Sequence, residues 1–313
     1  MIGSHYRVQA YLSPVECSSG NIEIDGQERY HHGWQPDTGA PWAVVTVVHG
    51  FGDHGGRFAG MGTSLSSLGV AVQATDLVGH GRSPGRRGCI ESYDQLLDEV
   101  AMSLEHSMRT FPRAPHFLFG QSMGGNLVIN LALRRPEVVA KTHGIIAGSP
   151  MLRAGKMPKE RIMDAGRWLA TKIPNWRIKA PVEVEKLSHD RRAQDAYLMD
   201  RWVHRNMSLR LAAGLIDTGL WALDHADQLA TKMLVMHGLD DTLTCPKSSA
   251  EFCERSNGFA TFRGWSGCRH DLHDELQRER VFDYLTHWMK QQCIVSFKIA
   301  RAPTSTPTVT RAA

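Results

Sequence analysis

Short apolar runs that do not alternate recur along the chain, each followed by a stretch whose apolar residues fall three and four apart. Val44-Val45-Thr46-Val47-Val48 is the first, β-branched on both faces in the manner of a strand buried between helices. Helical spacing follows from about Arg57 to Leu68, and Gly69 stands where a helix C-cap would. The same pair of patterns returns with a strand at Val70 to Thr75 and a long amphipathic helix from Tyr93 to about Thr110, carrying Leu96, Leu97, Val100 and Leu104 on one side. It returns again with a strand at His116 to Phe119, a helix over 123–134, and a short buried strand at Gly144 to Gly148. Strand and helix in alternation predict an α/β fold with a mostly parallel central sheet covered by helices on both faces. Ahead of this unit, Asn21 to Ile24 and Arg29 to Trp34 read as a weaker strand pair joined by Asp25-Gly26, a good hairpin turn.

The alternation stops near Pro150. From Met151 to about Asp224 no segment reads as a strand, and helix-like stretches at 159–173, 190–204 and 208–222 are divided by Pro174 and Pro181. In the first of these, Ile162, Ala165, Leu169 and Ile173 share one face. Trp168, Trp176, Trp202 and Trp221 fall in the same region, half of the chain's 8 tryptophans, and their spacing favours packing over pocket lining. The pattern predicts a helical insertion, 151–224, lying over a core made of 1–150 and 225–295. Strand and helix resume with Lys232 to His237, a helix at Ser248 to Ser256, a strand at Ala260 to Trp265 and a closing helix from Asp274 to Lys290. The Pro, Thr, Ser and Ala of 302–313 predict a disordered tail.

Composition narrows the function classes. With 42% hydrophobic and 22% charged residues the chain resembles an ordinary globular protein. Its net charge of +4 comes from scattered or paired arginines, such as Arg86-Arg87 and Arg191-Arg192, too few and too dispersed for a nucleic-acid ligand. That excess leaves room only for weak peripheral contact with a membrane surface. The 6 cysteines show neither C-x-x-C nor zinc-ligand spacing, so free thiols in a reducing compartment are expected. No basic leader with an apolar stretch opens the sequence and no apolar run approaches about 18 residues, so a cytoplasmic protein that does not span a membrane is expected. Nothing in the sequence bears on oligomeric state.

The chemistry centres on Gly120-Gln121-Ser122-Met123-Gly124, set between a strand and a helix. A serine at the apex of such a turn sits in strained backbone, where side chains two residues to either side would collide, and Gly120 and Gly124 remove the collision. Gly125 would let the helix approach its neighbours closely. A serine hydroxyl needs a base to take its proton and a carboxylate to orient that base. Later strand ends offer Asp240 and Asp241, after the strand ending at His237, and His270 and His273, after the strand ending at Trp265. The oxyanion of a tetrahedral intermediate requires two N–H donors, for which the backbones of Met123 and of Phe51, in the loop after the first buried strand, are suited.

Five stretches together resemble the monoacylglycerol lipase and lysophospholipase branch of the α/β-hydrolase superfamily, whose core is also described as a serine aminopeptidase-type domain. They are His49 to Phe58, Asp76-Leu77-Val78-Gly79-His80-Gly81-Arg82-Ser83, Gly120 to Gly125, His237 to Asp241, and Gly267 to His273. The resemblance favours Asp241 over Asp240 and His270 over His273 as partners of Ser122. It implies a helical cap, no cofactor and no metal, and hydrolysis of a carboxylic ester with one acyl chain, the substrate being a small-molecule lipid. It also implies a polar cluster near the leaving alcohol, corresponding here to Asp53, Arg57 and His273, with Asp53 where glutamate is usual. A carboxylesterase, thioesterase or peptidase on the same triad is the alternative, and a non-catalytic hydrolase-like binding protein a more remote one.

Overall fold

The computed structural model describes residues 15–24, 26–37, 39–180 and 182–301. In chain order the elements are β1 (Val15–Ile24), β2 (Gln27–Pro36), β3 (Ala43–Val48), α1 (Ala59–Ser67), β4 (Val70–Thr75), α2 (Tyr93–Thr110), β5 (His116–Gln121), α3 (Met123–Arg134), α4 (Pro136–Val139) and β6 (Gly144–Gly148). Then come α5 (Glu160–Lys172), β7 (Arg177–Lys179), α6 (Arg191–Met199), β8 (Asn206–Ser208), α7 (Leu209–Asp224), β9 (Met233–Gly238), α8 (Pro246–Arg255), β10 (Ala260–Trp265) and α9 (Arg278–Arg301). The hairpin residue Asp25 and the tail 302–313 lie outside the described residues.

An 8-stranded sheet runs in the order β1-β2-β4-β3-β5-β6-β9-β10. The β1–β2 and β2–β4 pairs are antiparallel; from β4 to β10 every neighbour is parallel. Every residue of β3, β4, β5, β6 and β9 is buried, which is why these strands read as continuous apolar runs. Edge strand β10 instead has buried ends and a partly exposed middle. Alternate side chains of one strand feed opposite layers. Phe117 and Phe119 face α1 and α9 with Phe58, Met61 and Phe282, whereas Leu118 faces α2, α3, α7 and α8 with Leu97, Leu127 and Phe252.

The segment between β6 and β9 differs from the all-helical expectation. Arg177–Lys179 and Asn206–Ser208 pair as a small antiparallel sheet, β7 with β8. Runs of 3 residues, mostly polar, carry no readable alternation. The tryptophans divide on the packing expectation: Trp168 is 60% and Trp176 64% exposed, whereas Trp221 packs partly buried against the core, and none of the four lines the cavity that holds Ser122. Although α5 keeps one apolar face, it buries no residue, and Ile162 on that face is 62% exposed. The segment is tied to the core through α3. Buried Asn126 donates to Met151 O at 2.7 Å, and buried Asn130 donates to Thr218 O at 3.3 Å. The closing helix begins at Arg278, later than expected, because Leu272–Asp274 turns as a 3-10 helix.

Candidate active site

Ser122 stands between β5 and α3 with φ 56° and ψ −111°, a conformation that L-residues rarely adopt. The glycines around it work as the sequence implies. A Cβ on Gly120 would lie 2.2 Å from Gly124 O, one on Gly124 would lie 2.1 Å from Val48 O, and one on Gly125 would meet Pro150 at 2.9 Å. The N-terminus of α3 is therefore pressed onto the end of β3, which brings the loop Gly50-Phe51 beside Ser122. The backbone at Ser122 is held from both sides, since its N–H donates to Gly148 O at 2.8 Å and its carbonyl accepts from Met151 N at 3.0 Å.

Ser122, Met123, Phe51 and His270 line one cavity of about 400 Å3. Met123 opens α3, where the first N–H groups have no acceptor within the helix. The Phe51 ring is turned edge-on to His80 and His204, with centroids 6.2 and 5.8 Å away. The remaining wall is mostly apolar, with Ile178, Met207, Leu215 and Leu243 among its residues. A wider open depression of about 560 Å3 lies between Arg86 and Trp176, and none of the candidate catalytic residues lines it.

Asp241 and His270 meet at the ends of neighbouring strands β9 and β10. His270 Nδ1 lies 2.7 Å from Asp241 Oδ2. The other carboxylate oxygen accepts from the backbones of Leu243, at 2.7 Å, and Thr244, at 3.1 Å. Burial opposes charge on both residues, but each ion stabilises the other. Asp241 is held far below the usual carboxylate range and the His270 imidazole is pushed up to about 9. The loop carrying His270 is pinned at its carbonyl, which accepts from Gln121 Nε2 at 2.9 Å and from Ser149 Oγ at 2.7 Å. Asp240 is exposed and His273 lies elsewhere, so the structure joins Asp241 to His270 and neither of the competing residues.

The three residues expected near a leaving alcohol are not all brought to the cavity. Asp53 lines it; Arg57 and His273 do not. The Arg57 side chain is largely covered, with Nε 3.2 Å from Asp53 and Nη2 3.1 Å from Asp274, and its guanidinium lies over the Tyr197 ring. His273 sits on the 3-10 turn with its ring stacked on Phe58 at 4.5 Å, and neither ring nitrogen has a hydrogen-bond partner among the described residues. The structure does not bring these two to the cavity wall: the 3-10 turn directs His273 into the layer of Phe58 and Phe282, and ion pairs hold Arg57 behind Asp53.

Sequence reasoning missed several contributors. Asp271 lines the cavity with its carboxyl raised by burial, and its Oδ1 accepts from Gln121 Nε2 at 3.2 Å. His237, Thr244 and Ser149 surround the Asp241–His270 pair. Their signal was position alone, at or just past strand ends. The stretch Asp76 to Ser83 also acquires a role. Asp76 Oδ1 accepts from Gly55 N at 2.7 Å and Oδ2 from Arg82 N at 2.8 Å, while Leu77 N donates to His49 Nε2 at 2.9 Å. These bonds brace the loop that carries Phe51. Among the described residues two groups have the spacing of metal ligands, His32 with His54 and Asp76, and Asp271 with His273 and Asp274. In both the carboxylates already serve the protein, Asp76 through those backbone bonds and Asp274 through Arg57.

The family model described as serine aminopeptidase, S33 (Hydrolase_4) matches residues 39–277. The chain belongs to this family. As an α/β-hydrolase it is 28% identical to human monoglyceride lipase over 87% of its own length and 89% of that protein's. It is 30% identical over 83% of its length to an uncharacterized abhydrolase domain-containing protein of Dictyostelium discoideum, and spans 27% of that longer protein. The crystal structure of Paleococcus ferrophilus monoacylglycerol lipase superimposes on the hydrolase with a TM-score of 0.74, at 27% identity, over 85% of this chain and 99% of that one. Among the described residues no helix is long and apolar enough to cross a membrane.

Proposed function

We propose that the protein is a serine hydrolase that cleaves carboxylic esters of single-chain lipids, monoacylglycerols or lysophospholipids, through an acyl-enzyme. One observation carries this reading: Ser122, in strained backbone, shares a largely apolar cavity with the His270 of a buried histidine–aspartate pair. The likeness to monoglyceride lipases supports the choice of substrate. The cavity's volume is at the lower end of the about 300–1,000 Å3 usual for small-molecule sites.

In this mechanism Ser122 Oγ attacks the ester carbonyl as His270 Nε2 takes its proton, and Asp241 stabilises the resulting imidazolium at Nδ1. The N–H groups of Met123 and Phe51 receive the oxyanion, fixed in place before reaction by the helix start and by the braced loop. Collapse of the intermediate expels the alcohol, which takes the proton from His270. Water then attacks the acyl-enzyme with the same histidine as base, releasing the fatty acid and regenerating Ser122. Residues 151–224 act as a cap, supplying Ile178, Met207 and Leu215 to the acyl wall.

Turnover of p-nitrophenyl esters, monoacylglycerols, lysophospholipids and aminoacyl amides, side by side with fluorophosphonate labelling, tests this reading. Labelling at Ser122 with highest kcat/KM on single-chain lipid esters is the expected result. Faster turnover of aminoacyl amides would transfer the site to peptidase chemistry, and absence of labelling would remove catalysis by serine.

A further inference from the structure

Asp241 serves two imidazoles. His237, the next-to-last residue of β9, is fully buried, does not line the cavity, and places Nε2 3.0 Å from Asp241 Oδ2, the same oxygen that His270 Nδ1 approaches at 2.7 Å. The Thr244 hydroxyl donates to that oxygen as well, at 2.7 Å. On its far side, His237 Nδ1 lies 2.8 Å from Ser249 Oγ in α8.

The partners determine the tautomer. A carboxylate only accepts, so His237 Nε2 carries the hydrogen; Nδ1 is then free to accept from the Ser249 hydroxyl, and every polar atom of the neutral ring is satisfied. A second proton on His237 would turn Nδ1 into a donor in a site without solvent. Burial accordingly keeps this imidazole below its ordinary pKa despite the nearby carboxylate. His237 is thus a fixed neutral donor rather than a second base.

We propose that His237 is a positioning residue of the hydrolytic site: by donating to Asp241 Oδ2 it holds the carboxylate in register with His270 and draws off part of the charge that binds the His270 proton. Each donor on one oxygen lowers the basicity left for the others. Without His237, Asp241 would grip the imidazolium more tightly, and His270 would become available as a base only at higher pH. The charged groups facing His270 are Asp241, Asp271 and Asp53, and those facing His237 are Asp241 and His270, so removing His237 leaves the carboxylates around the base unchanged in number.

The inference rests on His270 being the base, and the experiment separates the two claims. Histidine labelled with 13C at Cε1 reports the His270 titration with no substrate present, and the pH profile of kcat/KM reports it during turnover. His237→Leu is expected to move the His270 titration and the acid limb of the profile upward by about one pH unit, equivalent to about tenfold lower kcat/KM on that limb. His237→Gln, whose amide nitrogen can occupy the place of Nε2, should restore the wild-type limb. Ser249→Ala, which releases Nδ1, should shift it in the same direction by less, and decides the matter if the leucine variant does not fold. An unmoved limb in His237→Leu or Ser249→Ala, or a glutamine variant that behaves like leucine, overturns the proposal. A normal NMR shift in a protein that neither hydrolyses esters nor labels would overturn the proposed function and leave the coupling intact.

Discussion

Two polar clusters adjoin Ser122, and they are built in opposite ways. Around Asp241 each carboxylate oxygen meets several donors, contributed by the ends of β9 and β10 and the loops beyond them. Around Arg57, one guanidinium lies between Asp53 and Asp274, and among the described residues neither nitrogen of nearby His273 has a hydrogen-bond partner. The first cluster is fixed by topology, because parallel neighbours deliver their C-terminal loops to one edge. The second depends on which way side chains leave a short 3-10 turn. A motif transfers position along the chain reliably, and side-chain direction only where the backbone allows one choice.

The sharpest test of the first cluster is removal of the proposed nucleophile. Ser122→Ala should leave the fold intact, abolish fluorophosphonate labelling and lower kcat by a factor on the order of 10⁶; labelling at the wild-type level would move the nucleophile elsewhere. Asp241→Asn comes next, with a loss on the order of 10⁴ in kcat, whereas Asp240→Asn should be mild because that side chain is exposed. The reverse ranking would reassign the acid. The same pair predicts opposed pH slopes. His270 is raised from 6.5 to about 9, so its ion pair stabilises the fold fully below 6.5 and loses that contribution as pH rises through about 9. Activity, which needs the neutral imidazole, should climb over that interval as thermal stability declines, and parallel slopes would contradict the assignment.

The second cluster predicts structural effects. Arg57→Ala leaves two carboxylates facing a buried space and should destabilise by about 3–5 kcal/mol in denaturant titration. Its kcat/KM at temperatures where it stays folded should fall alike on a monoacylglycerol and on the p-nitrophenyl ester of the same chain. His273→Ala should likewise cost stability, through the lost stack on Phe58, with equal effects on both substrates; a selective loss on the monoacylglycerol would bring either residue back to the leaving group. The smallest effect is expected at the exposed face of α5, where Trp168→Ser should change stability by no more than about 0.5 kcal/mol.

What could be read from the sequence follows the same division. The buried strands announced themselves because both faces are apolar, and the turn at Ser122 because only glycine tolerates a backbone oxygen 2.2 Å from its missing Cβ. Between β6 and β9 the pattern misled. The apolar face of α5 has the periodicity of a core helix, yet Ile162, Leu169 and Ile173 on it are exposed, since periodicity records that residues share a face and not what covers it. The pairing of β7 with β8 joins residues about 30 apart in the chain through backbone bonds that no side-chain pattern marks. His237 was visible only as the end of a strand, because its role arises from Ser249 and Asp241 folding onto its two nitrogens.

The left-handed backbone at Ser122 sets fold and chemistry against each other at a single codon. Glycine would occupy φ 56° and ψ −111° with none of the strain a side chain meets there, so the fold taken alone favours glycine at position 122. On the proposed mechanism, selection on its hydroxyl is what would keep serine there. In a descendant freed from hydrolysis, drift at this codon would run downhill in conformational energy, and the loss of the reaction would be recorded as a gain in melting temperature.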